Sequence, residues 1–166
     1  MSRSRSTYWA VGLLILIMGG LGMLNLLSDK ARPPATHATA DTIVVYKNPT
    51  CDCCGKWVEH LKEAGFTVEV RDELEMRAVK KSLGIPARFS ACHTATVGGY
   101  LIEGHVPATD IKRLLQERPK AQGLAVPGMP VGSPGMEAGG QHMPYQTLLF
   151  NGEQAATYAQ HGYLQP

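Results

Sequence analysis

The order of apolar segments along this chain predicts an α/β domain. Three observations carry the expectation. Ile43-Val44-Val45-Tyr46 is a compact apolar run of strand length. From Cys53 to Ala64 the apolar positions fall at 57, 58, 61 and 64, the spacing of one helix face. Gly98-Gly99 separates Thr94-Ala95-Thr96-Val97 from Tyr100-Leu101-Ile102, which reads as a hairpin.

The remaining elements follow in order. Gly65 ends the first helix, where a residue with positive φ is wanted. Phe66 to Val70 alternates as a second strand. Leu74 to Leu83 reads as a second helix with Leu74, Ala78, Val79 and Leu83 on one face, stopped by Gly84 and Pro86. After the hairpin, Pro107 suits the first turn of a third helix, with Ile111, Leu114 and Leu115 facing inward and Pro119 beyond its end. The order β-α-β-α-β-β-α is the thioredoxin-like arrangement, which places a redox motif between the first strand and the first helix.

The chain's 166 residues suit one compact domain with appendages. Residues 42–119 form the thioredoxin-like core. Residues 120–166 add a Gly/Pro/Met loop and a terminal β-hairpin. The loop, residues 126–144, holds five glycines and four prolines, so neither helix nor strand is expected there. Tyr145 to Phe150, an Asn151-Gly152 turn and Gln154 to Tyr158 make the hairpin. Long Gly/Pro loops between ordered elements are usually functional or mobile.

At the other end, Arg3 and Arg5 precede an uncharged stretch from Ser6 to Ser28, with Tyr8 and Trp9 at its start. About 20 apolar residues cross a bilayer as a helix, and such aromatics belong at its interface. Residues 1–27 are therefore expected to be a transmembrane helix or a signal sequence. Ala38-Thr39-Ala40 offers a cleavage site but lies far from the end of the run, which favours an uncleaved anchor. Residues 28–41, with Pro33-Pro34, read as a linker. Either way the body is exported, and a periplasmic location is expected, anchored to the inner membrane by the uncleaved run or, as the alternative, secreted after signal cleavage.

Charge narrows the partners. The formal net charge is +2, but residues 41–166 carry 12 basic and 13 acidic side chains. No basic stripe interleaved with aromatics is present, which argues against nucleic acid. Four cysteines are too few for a disulfide scaffold, and three of them crowd into Cys51-Asp52-Cys53-Cys54.

Those three begin the first helix, where unpaired N–H groups and the macrodipole favour thiolate over thiol. Cys51 and Cys54 have the spacing of a redox dithiol and are the candidate catalytic pair. Cys53 adds a sulfur that simple exchange does not need. Cys92 stands at the entry to the third strand, where thioredoxin-like proteins carry a cis-proline, and should face the motif. A buried free cysteine is the plainer reading of it. His105, after the fourth strand, falls on the motif's side of the sheet, as a site residue or as a capping or solvated histidine. Met129, Met136 and Met143 recur every seventh residue through the loop, beside His142. Thioethers suit Cu(I), although packing of the loop explains methionines too. His37, His60 and His161 read as surface residues.

Thiolate and thioether donors select soft ions, Cu(I) foremost. Zinc accepts four cysteines but usually draws them from two C-x-x-C knuckles. Adjacent Cys53 and Cys54 are not expected to reach one tetrahedral centre together with Cys51. Adjacency argues for more than one metal ion or for redox chemistry.

The C-x-C-C motif after a strand, Ala91-Cys92-His93-Thr94-Ala95 with Gly104-His105-Val106-Pro107, and Gly123-Leu124-Ala125-Val126-Pro127-Gly128-Met129-Pro130 together resemble the CopG-type periplasmic copper-resistance proteins. The resemblance spans roughly residues 42–160. It implies a thioredoxin-like domain that binds copper through the cysteine motif and interconverts Cu(I) and Cu(II) in envelope copper detoxification. Cys51, Cys53, Cys54 and Cys92 match the family's cysteines directly; His105 and Met129 match family-typical segments. The implied partners are copper ions and other envelope copper-handling proteins, with the membrane engaged through the N-terminal helix. Two alternatives stay open: a thiol–disulfide oxidoreductase using Cys51 and Cys54, and handling of another thiophilic ion such as mercury, silver or arsenic.

Overall fold

The computed structural model describes residues 42–162. The expected anchor and linker lie outside the described residues. Among the described residues no helix is long and apolar enough to cross a membrane.

The elements are β1 (Ile43–Lys47), α1 (Asp52–Glu63), β2 (Val68–Asp72), α2 (Met76–Ser82), a 3-10 turn (Ala87–Phe89), β3 (Thr94–Val97), β4 (Tyr100–Glu103), α3 (Ala108–Glu117), β5 (Gly123–Ala125), β6 (Tyr145–Asn151) and β7 (Gln154–His161). All strands join one sheet in the order β2-β1-β3-β4-β5-β6-β7. β1 pairs parallel with β2 and antiparallel with β3, and β3 and β4 form the expected hairpin around Gly98-Gly99. This is a mixed α/β fold, consistent with a thioredoxin-like domain.

α1 buries Cys54, Trp57, Val58 and Leu61, the face its spacing predicts. Trp57, Val58 and Leu61 pack with Ile43 and Val45 of β1, Ile102 of β4, Ile111 and Leu114 of α3 and Leu124 of β5. Burying each large side chain is worth about 1.5–3 kcal/mol. The packed helix holds the start of α1, and so the cysteines, against the end of β1.

Three expectations need correction. The second strand starts at Val68, two residues late, because Phe66 N–H closes the end of α1 by bonding to the Leu61 carbonyl (3.1 Å). α2 does not bury its apolar face: Leu74 precedes the helix and is 77% exposed, and the buried side chain is Lys80. The third is β5, a strand of three residues that no sequence pattern announces. It lies buried between β4 and β6, pairing parallel with one and antiparallel with the other. A Cβ at Gly123 would sit 1.8 Å from the Leu101 carbonyl oxygen, so only glycine lets the strands close there. Through β5 the terminal hairpin continues the sheet, and β7 runs on to His161, past the expected end at Tyr158.

Two histidines expected at the surface are structural links. Half-buried His60 accepts a bond from Ala108 N–H (3.1 Å) through Nε2, tying α1 to the first turn of α3. His161 Nε2 lies 2.8 Å from the Asp110 carboxylate, joining β7 to the same helix.

Candidate metal centre

Cys51 is the N-cap of α1 with extended backbone (φ −81°, ψ 99°), and Cys53 and Cys54 lie in the helix's first turn. Cys51 and Cys54 are joined by a disulfide, while Cys53 and Cys92 are free thiols. Cys53 Sγ lies 3.5 Å from Cys51 Sγ. The four sulfurs of Cys51, Cys53, Cys54 and Cys92 all lie within 4.8 Å of one another. Cys53 and Cys54 therefore lie together with Cys51 and Cys92 although they are adjacent in the chain.

Cys92 comes from the irregular segment between the 3-10 turn and β3, the position of the thioredoxin cis-proline; no cis peptide bond occurs among the described residues. Its Sγ lies 3.1 Å from His105 Nε2 and 3.2 Å from His93 Nδ1. Sulfur and both imidazoles form a second group whose ligand atoms lie within 4.8 Å of one another. Both histidines are fully buried. Trp57 lies tilted against His93 with ring centroids 4.3 Å apart, and its indole N–H donates to the Val106 carbonyl (2.9 Å).

The hydrogen bonds fix the tautomers. His105 Nδ1 lies 2.8 Å from the Pro134 carbonyl oxygen, which can only accept, so Nδ1 carries the proton and Nε2 presents its lone pair to Cys92. A backbone carbonyl on the far nitrogen is the usual orienting partner of a metal-binding histidine. Burial pushes the Cys92 thiol up to about 12, with the neighbouring Cys53 adding to the effect and the Lys80 ammonium opposing it. The neutral thiol then donates to His105. Burial, with His105 and Lys80 nearby, holds His93 well below the usual imidazole range, so it is neutral too. His93 Nε2 is buried without a hydrogen-bond partner among the described residues.

The Gly/Pro loop reaches this site through its backbone. Besides the Pro134 carbonyl, Gly135 packs on α1: a Cβ there would lie 2.7 Å from the Cys53 carbonyl oxygen and 2.8 Å from Trp57 N. Met129 is different. It is 53% exposed and Met143 56%, so neither side chain belongs to the buried cluster.

Residue spacing did not single out His93 or the buried charges behind it. Lys80 Nζ bonds Glu103 Oε1 (2.5 Å) and Thr94 Oγ1 (2.7 Å), and Glu103 also accepts from Ala91 N–H (2.7 Å). The signal for His93 was its place directly beside Cys92. For Glu103 it was a carboxylate closing a strand whose other residues are apolar.

A Cys-x-x-Cys pair at the β1–α1 junction, with the β2-β1-β3-β4 arrangement behind it, is the mark of thioredoxin-like α/β proteins, here with two imidazoles beside the sulfurs. The comparisons narrow that class. The solved structure named copper resistance protein CopG, form 2, is 44% identical with a TM-score of 0.69; the match covers 73% of this chain and 98% of that one. Form 1 is 45% identical with a TM-score of 0.68, covering 72% and 96%. The chain therefore belongs to the CopG copper-resistance protein family. Residues 89–136 match the family described as protein of unknown function, DUF411, and no curated protein matches the sequence.

Proposed function

We propose that this protein binds Cu(I) in copper resistance through Cys53 and Cys92, joined by Cys51 and Cys54 when their disulfide is reduced, with His105 and His93 completing the donor set. Two donor groups that share Cys92 carry this reading: four sulfurs within 4.8 Å of one another, and Cys92 with two neutral imidazoles. Such soft donors select Cu(I). The fit is supported by the His105 tautomer, by the lone pair it turns toward Cys92, and by His93 Nδ1 facing the same sulfur. Met129 and Met143 serve as an outer capture path, since both are exposed.

The Cys51–Cys54 disulfide supports a redox role within the same site. As the reduced pair closes its Sγ–Sγ bond, it gives up two electrons, one to each of two Cu(II) ions, and releases the protons its thiols held. Cys53 and Cys92 remain to hold the resulting Cu(I). The same disulfide also favours a second reading, thiol–disulfide exchange on another protein, for which reduction of insulin is the discriminating assay.

Anaerobic Cu(I) titration, with X-ray absorption to read Cu–S and Cu–N distances, tests the main reading. Cys92→Ser should lower affinity or stoichiometry as much as Cys53→Ser does, because the sulfurs act as one unit. Unchanged binding in Cys92→Ser would leave Cys92 as a core thiol and end the shared-site argument. The uncharged N-terminal run behind Arg3 and Arg5 supports periplasmic action from an inner-membrane anchor, where other copper-handling proteins of the envelope are the partners. A cytoplasm-specific reporter fused after Pro166 should then stay silent, and strong activity would overturn that location.

A further inference from the structure

We propose that Glu103, held in place by Lys80, is the positioning residue that presents Cys92 to the metal centre. This rests on the copper reading above. Glu103 is the last residue of β4 and is fully buried, as is most of Lys80. Both carboxylate oxygens are engaged: Oε1 accepts from Lys80 Nζ and Ala91 N–H, and Oε2 accepts from Thr94 Oγ1 (2.5 Å).

The Ala91 contact gives the cluster its purpose. Residues 90–93 belong to no helix or strand, so no ladder holds them. Ser90 N–H bonds back to the Ala87 carbonyl, and the His93 carbonyl accepts from Gly104 N–H (3.1 Å). Between these two, the bond from Ala91 N–H to Glu103 is the tie immediately before Cys92. In a thioredoxin-like domain a rigid proline occupies this turn; here a carboxylate fixes a non-proline turn from behind. A buried ion pair is rarely the most stabilising solution, since apolar residues of similar size often do as well or better. Lys80–Glu103 gives the Cys92 segment what an apolar pair cannot, an acceptor at a fixed place.

Two charge-free replacements separate this role from packing. Lys80→Met/Glu103→Gln removes both charges but leaves an amide oxygen for Ala91 N–H. Lys80→Met/Glu103→Leu removes the acceptor as well. Two readouts apply in the full chain. One is Cu(I) affinity by chelator competition. The other is alkylation of Cys92 by iodoacetamide in copper-free, oxidised protein carrying Cys53→Ser, in which Cys92 is the free thiol. The Leu variant should bind Cu(I) about 10–100-fold more weakly, the usual loss when an orienting partner is removed, and its Cys92 should react several-fold faster. The Gln variant should stay within about threefold of the parent on both readouts, the margin of ordinary context dependence for a retained hydrogen bond.

A folded Leu variant matching the parent in both readouts overturns the proposal, as does equal loss in the two variants. If the Leu variant does not fold, Ala91→Pro removes the donor instead and should give the same two changes; parental behaviour there also overturns the proposal. Failure of the copper reading looks different. The parent itself would then not bind Cu(I), while the contrast in Cys92 alkylation would still stand or fall.

Discussion

His105 donates its Nδ1 proton to the Pro134 carbonyl oxygen at 2.8 Å, which ties a buried imidazole to the Gly/Pro loop. The loop therefore bears on the site through main chain. Its neighbour Gly135 sits at φ +83°, so close to α1 that a side chain would meet the Cys53 carbonyl.

Gly135→Ala should force the loop off α1 and lengthen the bond to His105. A non-glycine residue in that backbone region costs on the order of 1–3 kcal/mol, before any clash. The melting temperature should fall, and Cu(I) affinity with it. Gly55→Ala is the contrast, because nothing lies within 4 Å of a Cβ there and the position is helical. That change should stabilise by about 0.5–1 kcal/mol and leave copper binding intact. Parental copper affinity in a folded Gly135→Ala protein would show that the loop does not govern His105.

The exposure of Met129 and Met143 predicts a different outcome for the thioethers. The double change Met129→Leu/Met143→Leu keeps bulk and removes sulfur. Surface substitutions usually shift stability by no more than about 0.5 kcal/mol, so thermal unfolding of the metal-free protein should barely move. Retention of Cu(I) against a competing chelator should weaken. If retention matches the parent, the loop methionines are not a copper element, whatever holds for the cysteines.

His60 sets a pH dependence outside the metal centre. Burial lowers its folded pKa below 6.5, the value expected unfolded, against smaller opposing effects of Glu137 and Glu63. Its Nε2 lone pair accepts Ala108 N–H, so protonation would break that link. Below about pH 6.5 the unfolded chain binds more protons than the folded one at this site, so stability falls as pH falls. Urea unfolding at pH 7.5 and 5.5 tests this with His60→Gln, which keeps an acceptor but does not titrate. The parent should lose more stability than the variant over that interval. Equal losses would assign the pH dependence to other groups.

Local pattern in the amino-acid sequence determined much of this protein. The apolar spacing of α1, the Gly98-Gly99 turn and the Asn151-Gly152 turn are short-range signals, and each produced its element. The order of those elements indicated the thioredoxin-like class and brought Cys92 opposite Cys51, Cys53 and Cys54. Tertiary structure decided the rest. β5 exists because β4 and β6 supply its partners, which three residues of sequence cannot announce. α2 buries Lys80 instead of its apolar residues because Glu103, 23 positions away, compensates the charge. The role of His105 turns on a carbonyl 29 residues later, and His93 enters the site because Cys92 and His105 close around it. Hydrogen-bond partners so far apart in the chain leave no periodicity to read, because only the folded chain makes them neighbours.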